Sequence, residues 1–296
     1  MLDTVPETEA GAWLAAFAGA LARGDIAGTL ALFAEDCYWR DFVSFTWNIK
    51  TLEGKPAIAA MLEARLADTA PGDWAVGKVT RNGTQTEAWF TFQTKVGRGE
   101  GIVRLEGGVC RSILTTLQGL DGHEEAIGAR RAMGVAHGAD RSRETWAERR
   151  AAEEAALGAG VEPYCLIIGG GQGGIMLGAR LKALGVPAII VEKNARAGDS
   201  WRNRYRSLVL HDPVWYDHLP YMPFPANWPV FTPKDKMGDW LESYVSLMEL
   251  AYWGSTEAKR ATFDPASGRW TVDLVRDGKP VTLRPVQLVF ATGAYG

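Results

Sequence analysis

The sequence predicts two fold classes in tandem. The first is an α+β unit with helices on one face of an antiparallel sheet. The second is an α/β unit of the nucleotide-binding, Rossmann-like kind. Three observations predict this. Helical spacing gives way to a run of strands within residues 1–125. A charged, Ala-rich stretch follows over 126–160. From there to residue 296 an apolar strand, a glycine-rich turn, a helix and a second apolar strand succeed one another. A length of 296 residues fits about two domains, and 47% hydrophobic residues can fill two cores.

Taken in order, Trp13, Leu14, Phe17 and Leu21 fall on one helical face, and Gly24-Asp25 ends that helix. A second helix is predicted over 26–33. A third is predicted over 55–66, with Pro56 in its first turn. The segments "WAVGKVTR", "EAWFTFQTKV", "GIVRLEG" and "CRSILTTLQ" read as strands separated by Gly-containing turns. Residues 142–157, rich in Arg and Glu, read as a solvated linker helix. "YCLII" then reads as a buried strand, 173–184 as a helix stopped by Gly185, and "PAIIVE" as the next strand.

The turn between that first strand and helix holds Gly169-x-Gly171-x-x-Gly174. The first glycine permits the tight turn, the second lets the backbone approach a diphosphate, and the third lets helix and strand pack closely. The helix N-terminus directs unpaired N–H groups and a partial positive charge at the anion. Glu192 ends the second strand, about 20 residues on, where an acid accepts from ribose hydroxyls. FAD and NAD share this geometry, so the loop does not choose between them, but the acid argues against a 2′-phosphate and hence against NADP here.

Other functions are disfavoured. A net charge of −3 gives no basic excess for nucleic acid or an anionic membrane. The N-terminus lacks a signal-peptide pattern, and every apolar run is broken well before ~18 residues. Three scattered cysteines (Cys37, Cys110, Cys165) fit a reducing cytoplasm and frame neither a disulfide core nor a metal cluster. The four histidines show no metal-ligand spacing.

Residues 161–296 resemble the FAD-binding half of class B flavin monooxygenases, the flavin-containing and Baeyer–Villiger group with its plant auxin-forming branch. The resemblance is carried by "IIGGGQGG", "VEKNARAGDSWRNRY", "LVLHDP" with "LPYMPFP", and "LVFATGAYG". It implies that Gly169, Gly171, Gln172, Gly173 and Gly174 line the FAD diphosphate and that Glu192 holds the adenosine ribose. Lys193, Gly198 and Trp201 would lie along the cofactor, His211 near the flavin end, and Thr292 and Gly293 over the diphosphate. For Trp201 a core aromatic, and for His211 a capping or core histidine, stay open as plainer readings. Arg202, Arg204 and Arg206 read as a solvated face. The implied activity is FAD- and NADPH-dependent transfer of one oxygen atom of O2, through a C4a-peroxyflavin, to a small organic substrate, with no catalytic side chain named.

Residues 7 to about 125 resemble SnoaL-like polyketide-cyclase domains, cone-shaped folds with a curved sheet around an apolar pocket, through endings such as "VRLEGGVCRSILTTLQ". Some members use a pocket Asp as a base, which singles out Asp36 and Asp41. Asp36 reads more plainly as a helix-end residue, and Asp41 as half of an ion pair with Arg40 or another base. A homodimer through this unit is a further expectation.

No second Gly-x-Gly-x-x-Gly for NADPH occurs in these residues. The chain therefore reads as an N-terminal portion of a longer protein, with an unpaired sheet edge expected. Two alternatives stay open. One is another FAD/NAD(P)H oxidoreductase of the disulfide-reductase kind, against which the lack of Cys-x-x-x-x-Cys counts. The other is a non-enzymatic ligand-binding or dimerisation module with a vestigial FAD half.

Overall fold

In the computed structural model, residues 4–134, 138 and 142–293 are described. They fall into two compact units, Met1–Glu124 and Glu125–Gly296.

The first unit begins with α1 (Thr4–Ala22), whose Trp13, Leu14, Phe17 and Leu21 are buried as their spacing predicts. Asp25 caps α2 (Ile26–Ala31) by accepting from the Gly28 N–H at 2.7 Å. This helix stops two residues short of Phe33, because β1 (Phe33–Phe42) starts there. Asp36 therefore closes no helix. It is an exposed strand residue 3.3 Å from Arg111. β2 (Ile49–Glu53) and α3 (Gly54–Thr69) follow. The meander β3 (Gly72–Asn82), β4 (Gln85–Thr94), β5 (Gly97–Glu106) and β6 (Val109–Leu120) completes the unit.

The sheet order is β2-β1-β6-β5-β4-β3. It is not wholly antiparallel, because β1 lies parallel to β6. The crossover that a parallel pair needs is supplied by everything between them. The interior is an aromatic pile. Trp13 stacks on Phe17 at 4.8 Å and Trp74 on Phe92 at 4.8 Å, while Trp39 meets Phe45 edge-on at 5.0 Å.

Two glycines of β5 make room for that pile. Phe90 pairs with Gly101 and Phe92 with Gly99, and each ring lies over its glycine. A Cβ on Gly101 would sit 2.3 Å from the Phe90 ring and 2.3 Å from the Leu114 carbonyl oxygen. Gly101→Val is accordingly expected to destabilise this unit by about 2–3 kcal/mol, through overpacking with no free volume to relax into. Denaturant unfolding would check this, and an unchanged midpoint would refute it.

The second unit opens with α4 (Trp146–Ala156), which carries a reciprocal capping box between Thr145 and Glu148. The expected helix over 142–157 is thus trimmed to its capped part. Trp146 Nε1 donates to Glu249 at 2.7 Å, so α4 is tied at its first residue rather than wholly solvated. Then come β7 (Cys165–Ile168), α5 (Gln172–Ala183), β8 (Ala188–Val191), the short α6 (Asp199–Arg202), α7 (Lys234–Leu247) and β9 (Tyr252–Trp253). β10 (Thr256–Asp264), β11 (Arg269–Arg276) and β12 (Lys279–Leu283) form a separate antiparallel sheet before β13 (Gln287–Phe290). The strands β13-β7-β8-β9 are all parallel and lie in that order. The chain thus leaves the parallel sheet after β9 and returns beside β7 on its other side. A ligand crevice is expected at the carboxyl ends of these strands.

Candidate functional site

A cleft of about 840 Å³ lies at the carboxyl ends of β7, β8 and β13, against the N-terminus of α5. Its floor is the glycine loop, and the glycines there do different things. Gly169 has φ +111°, and a Cβ on it would meet the Ala291 carbonyl oxygen at 2.4 Å. Gly174 is buried, and its Cβ would stand 1.9 Å from the Gly169 carbonyl oxygen, so it sets the approach of helix to loop. A Cβ on Gly171 or Gly173 would meet nothing within 4 Å, and both residues line the cleft. This pattern separates two glycines required by packing from two that keep the cleft open.

Glu192 follows β8 and is 9% exposed. Its carboxylate accepts from the Gly170 N–H at 2.8 Å, from the Asn194 N–H at 3.0 Å and from Asn194 Nδ2 at 2.6 Å. The acid is thereby fastened to the loop while still lining the cleft. Tyr252 packs beneath Gly170, and burial, reinforced by the Glu192 charge, pushes its phenol well above the ordinary range.

α6 supplies the facing wall. Trp201 lines the cleft and donates from Nε1 to Gln172 at 3.1 Å, while Arg204 stacks over its ring at 5.0 Å. Gly198 does not line the cleft. It has φ +86°, and a Cβ there would meet the Gly238 carbonyl oxygen at 2.2 Å, so it seats α6 on α7. Arg202 fixes the same contact, bonding Asp199 at 3.0 Å, Asp239 at 2.9 Å and Glu242 at 2.6 Å. It is not a solvated arginine, whereas Arg206 is exposed.

Lys193, Thr292 and Gly293 line the cleft with the residues above. Asn194, Asn203, Arg204 and Thr256 also line it, though no motif in the sequence marks them. Arg204 lies three residues beyond Trp201, a spacing that could have placed it beside that ring, but nothing near the glycine loop announces Thr256. Beside the carboxylates of Glu192 and Glu257, the cleft sets two cations that form no ion pair among the described residues, Lys193 and Arg204, with the α5 N-terminus. That combination suits a diphosphate.

A second cleft of about 390 Å³ adjoins the first and shares Gln172, Trp201 and Arg204 with it. His211 lines this second cleft, with its side chain 95% exposed and 3.6 Å from the Asp212 carboxylate. Among the described residues no group of three or more His, Cys, Asp or Glu could hold a metal ion, and no helix is long and apolar enough to cross a membrane.

In the first unit Asp41 is fully buried and makes no ion pair among the described residues. Arg40, its expected partner, stacks over Phe42 at 5.1 Å. Asp41 instead accepts from the backbone and hydroxyl groups of residues 44–46 and from Thr115 Oγ1.

Comparison with known proteins adds similarities over parts of the chain. Residues 14–113 match the model of the SnoaL-like domain. The chain is 37% identical over 132 residues to the indole-3-pyruvate monooxygenase YUCCA1 of Oryza sativa subsp. japonica, which covers 44% of this chain and 32% of that protein. It is 41% identical over 92 residues to an uncharacterized CzcO-like oxidoreductase of Geobacillus kaustophilus, covering 31% of this chain and 26% of that one. Among solved structures, a flavin-containing monooxygenase from Stenotrophomonas maltophilia aligns at 22% identity with a TM-score of 0.39, over 44% of this chain and 38% of that one. The chain spans about a third of the length of the first curated relatives it matches.

Proposed function

We propose that this chain carries the FAD site of an NADPH-dependent flavin monooxygenase that transfers one oxygen atom of O2 to a small organic substrate. The observation that carries the reading is the cleft itself, where Gly171 and Gly173 open the floor, α5 offers its free N–H groups and Glu192 stands at the end of β8. The residues present fit a dinucleotide. The loop N–H groups, Lys193 and Arg204 would neutralise the diphosphate, and the one free lone pair of Glu192, on Oε2, would accept from an adenosine ribose hydroxyl. Trp201 and Gln172 would border the cofactor where the first cleft meets the second. FAD, when bound, supplies the redox chemistry with NADPH and O2, while the protein binds, orients and shields it. Several of the curated relatives, the rice protein among them, are named for indole-3-pyruvate, which makes an aromatic 2-oxo acid the first substrate to try.

The reading is tested by purifying the 296-residue chain, desalting it and recording its visible spectrum. A flavin spectrum near one FAD per chain is expected. Glu192→Ala is expected to weaken FAD about tenfold or more, because a charge-assisted ribose hydrogen bond and the loop anchor go together. A colourless, folded protein that takes up neither FAD nor ADP would overturn it.

A further inference from the structure

The second cleft has an apolar floor of Met176, Leu210, Leu219 and Met237, and one polar atom that the protein leaves unsatisfied. Asp217, at the end of a short 3-10 turn over Val214–Tyr216, lines this cleft, and its Oδ2 is buried without a hydrogen-bond partner. Buried polar atoms are nearly always paired, so a lone carboxylate oxygen in a cavity wall needs a reason. None of the donors nearby bonds that oxygen. His218 Nδ1 accepts from the Phe224 N–H at 3.0 Å. Trp201 Nε1 donates to Gln172, and His211 lies beside Asp212. Burial, reinforced by the Asp212 carboxylate and opposed by His211 and His218, holds the Asp217 carboxyl above its ordinary range.

We propose that Asp217 is a ligand-binding residue of the second cleft, whose buried oxygen accepts a hydrogen bond from the flavin end of the bound cofactor. This rests on the FAD reading of the first cleft. The two clefts meet at Gln172, Trp201 and Arg204, so a dinucleotide with its adenosine at Glu192 runs toward the second cleft past that junction. The isoalloxazine–ribityl end has the required chemistry. It offers a flat apolar ring for the Met and Leu floor, and imide N–H and ribityl O–H donors for an orphan acceptor. The ADP end, held at Glu192 in this reading, would bring none of its donors to Asp217.

The test uses the full chain stripped of flavin and titrated separately with FAD, riboflavin and ADP. Asp217→Ala is expected to weaken FAD and riboflavin about tenfold while leaving ADP within about twofold, the loss of one hydrogen bond. Asp217→Asn keeps an acceptor oxygen and is expected to restore most of the loss. Both variants discard an unpaired buried carboxylate and should keep the wild-type melting temperature. Unchanged FAD affinity in Asp217→Ala would overturn the proposal alone, as would equal weakening of ADP and FAD. A wild-type chain that binds none of the three probes would overturn the FAD reading and this proposal with it.

Discussion

Gly174→Ala is expected to cost the second unit at least about 3 kcal/mol, whereas Gly171→Val leaves that unit folded and unable to hold FAD. Both are glycines of one loop, and the difference lies in what a side chain would meet. At Gly174 a single methyl group would stand 1.9 Å from the Gly169 carbonyl oxygen and 3.4 Å from Ile167 Cγ2. No rotamer relieves a backbone clash, so α5 must back away from β7 and loosen the contacts that bury Ile175 and Ala179. At Gly171 the backbone has φ −74°, which any residue adopts, and an added Cβ meets nothing within 4 Å. The valine carbons would occupy the space in which a diphosphate must reach the α5 N–H groups. Thermal unfolding should show the second unit's transition lost or lowered by well over 4 °C in Gly174→Ala and within about 2 °C of wild type in Gly171→Val. Titration with ADP should show Gly171→Val weakened at least about a hundredfold, since every diphosphate contact is displaced at once. Stoichiometric flavin in Gly171→Val would mean that this loop is not the phosphate cradle.

Part of the second unit is legible directly in the sequence. The glycine spacing and the acid at Glu192 act over a few residues of local backbone, so their pattern survives in one dimension. The wall opposite does not. Gly198 reads as a cofactor contact and is instead the point where α6 touches α7 backbone to backbone. Arg202 reads as a surface cation and is instead held by three carboxylates, two of them about forty positions later in the chain. Thr256 and Ala258 reach the cleft from β10, which no local signal connects to the glycine loop. In the first unit the alternation of Cys37, Trp39 and Asp41 marks β1, but Glu35, Asp36 and Arg40 hide it by giving the segment a charged, loop-like composition. With β1 unseen, its parallel pairing with β6 was also out of reach.

Asp41 is where the unseen strand matters most, and Asp41→Ala is expected to destabilise the first unit by about 3–5 kcal/mol. The carboxylate lies at 0% exposure and receives Ser44 Oγ, the Phe45 and Thr46 N–H groups, Thr46 Oγ1 and Thr115 Oγ1. Thr115 Oγ1 in turn accepts from Trp39 Nε1 at 2.8 Å. One side chain therefore closes the turn between β1 and β2, pins β1 to β6 and orients the fully buried Trp39 ring. Removing it strands these donors in a dry interior, where each unpaired group costs about 1–3 kcal/mol before relaxation. Asp41→Asn keeps the shape but turns an NH2 group toward donors, so about half that loss is expected. Serving as a pocket base would require a lone pair turned toward a ligand, and here hydroxyl and amide donors surround both oxygens. Denaturant unfolding of the two variants separates the roles. A graded loss, Ala greater than Asn, is expected from a structural knot. Wild-type stability in both variants would show that Asp41 is not the fastening between β1 and β6, and would return it to the candidates for chemistry.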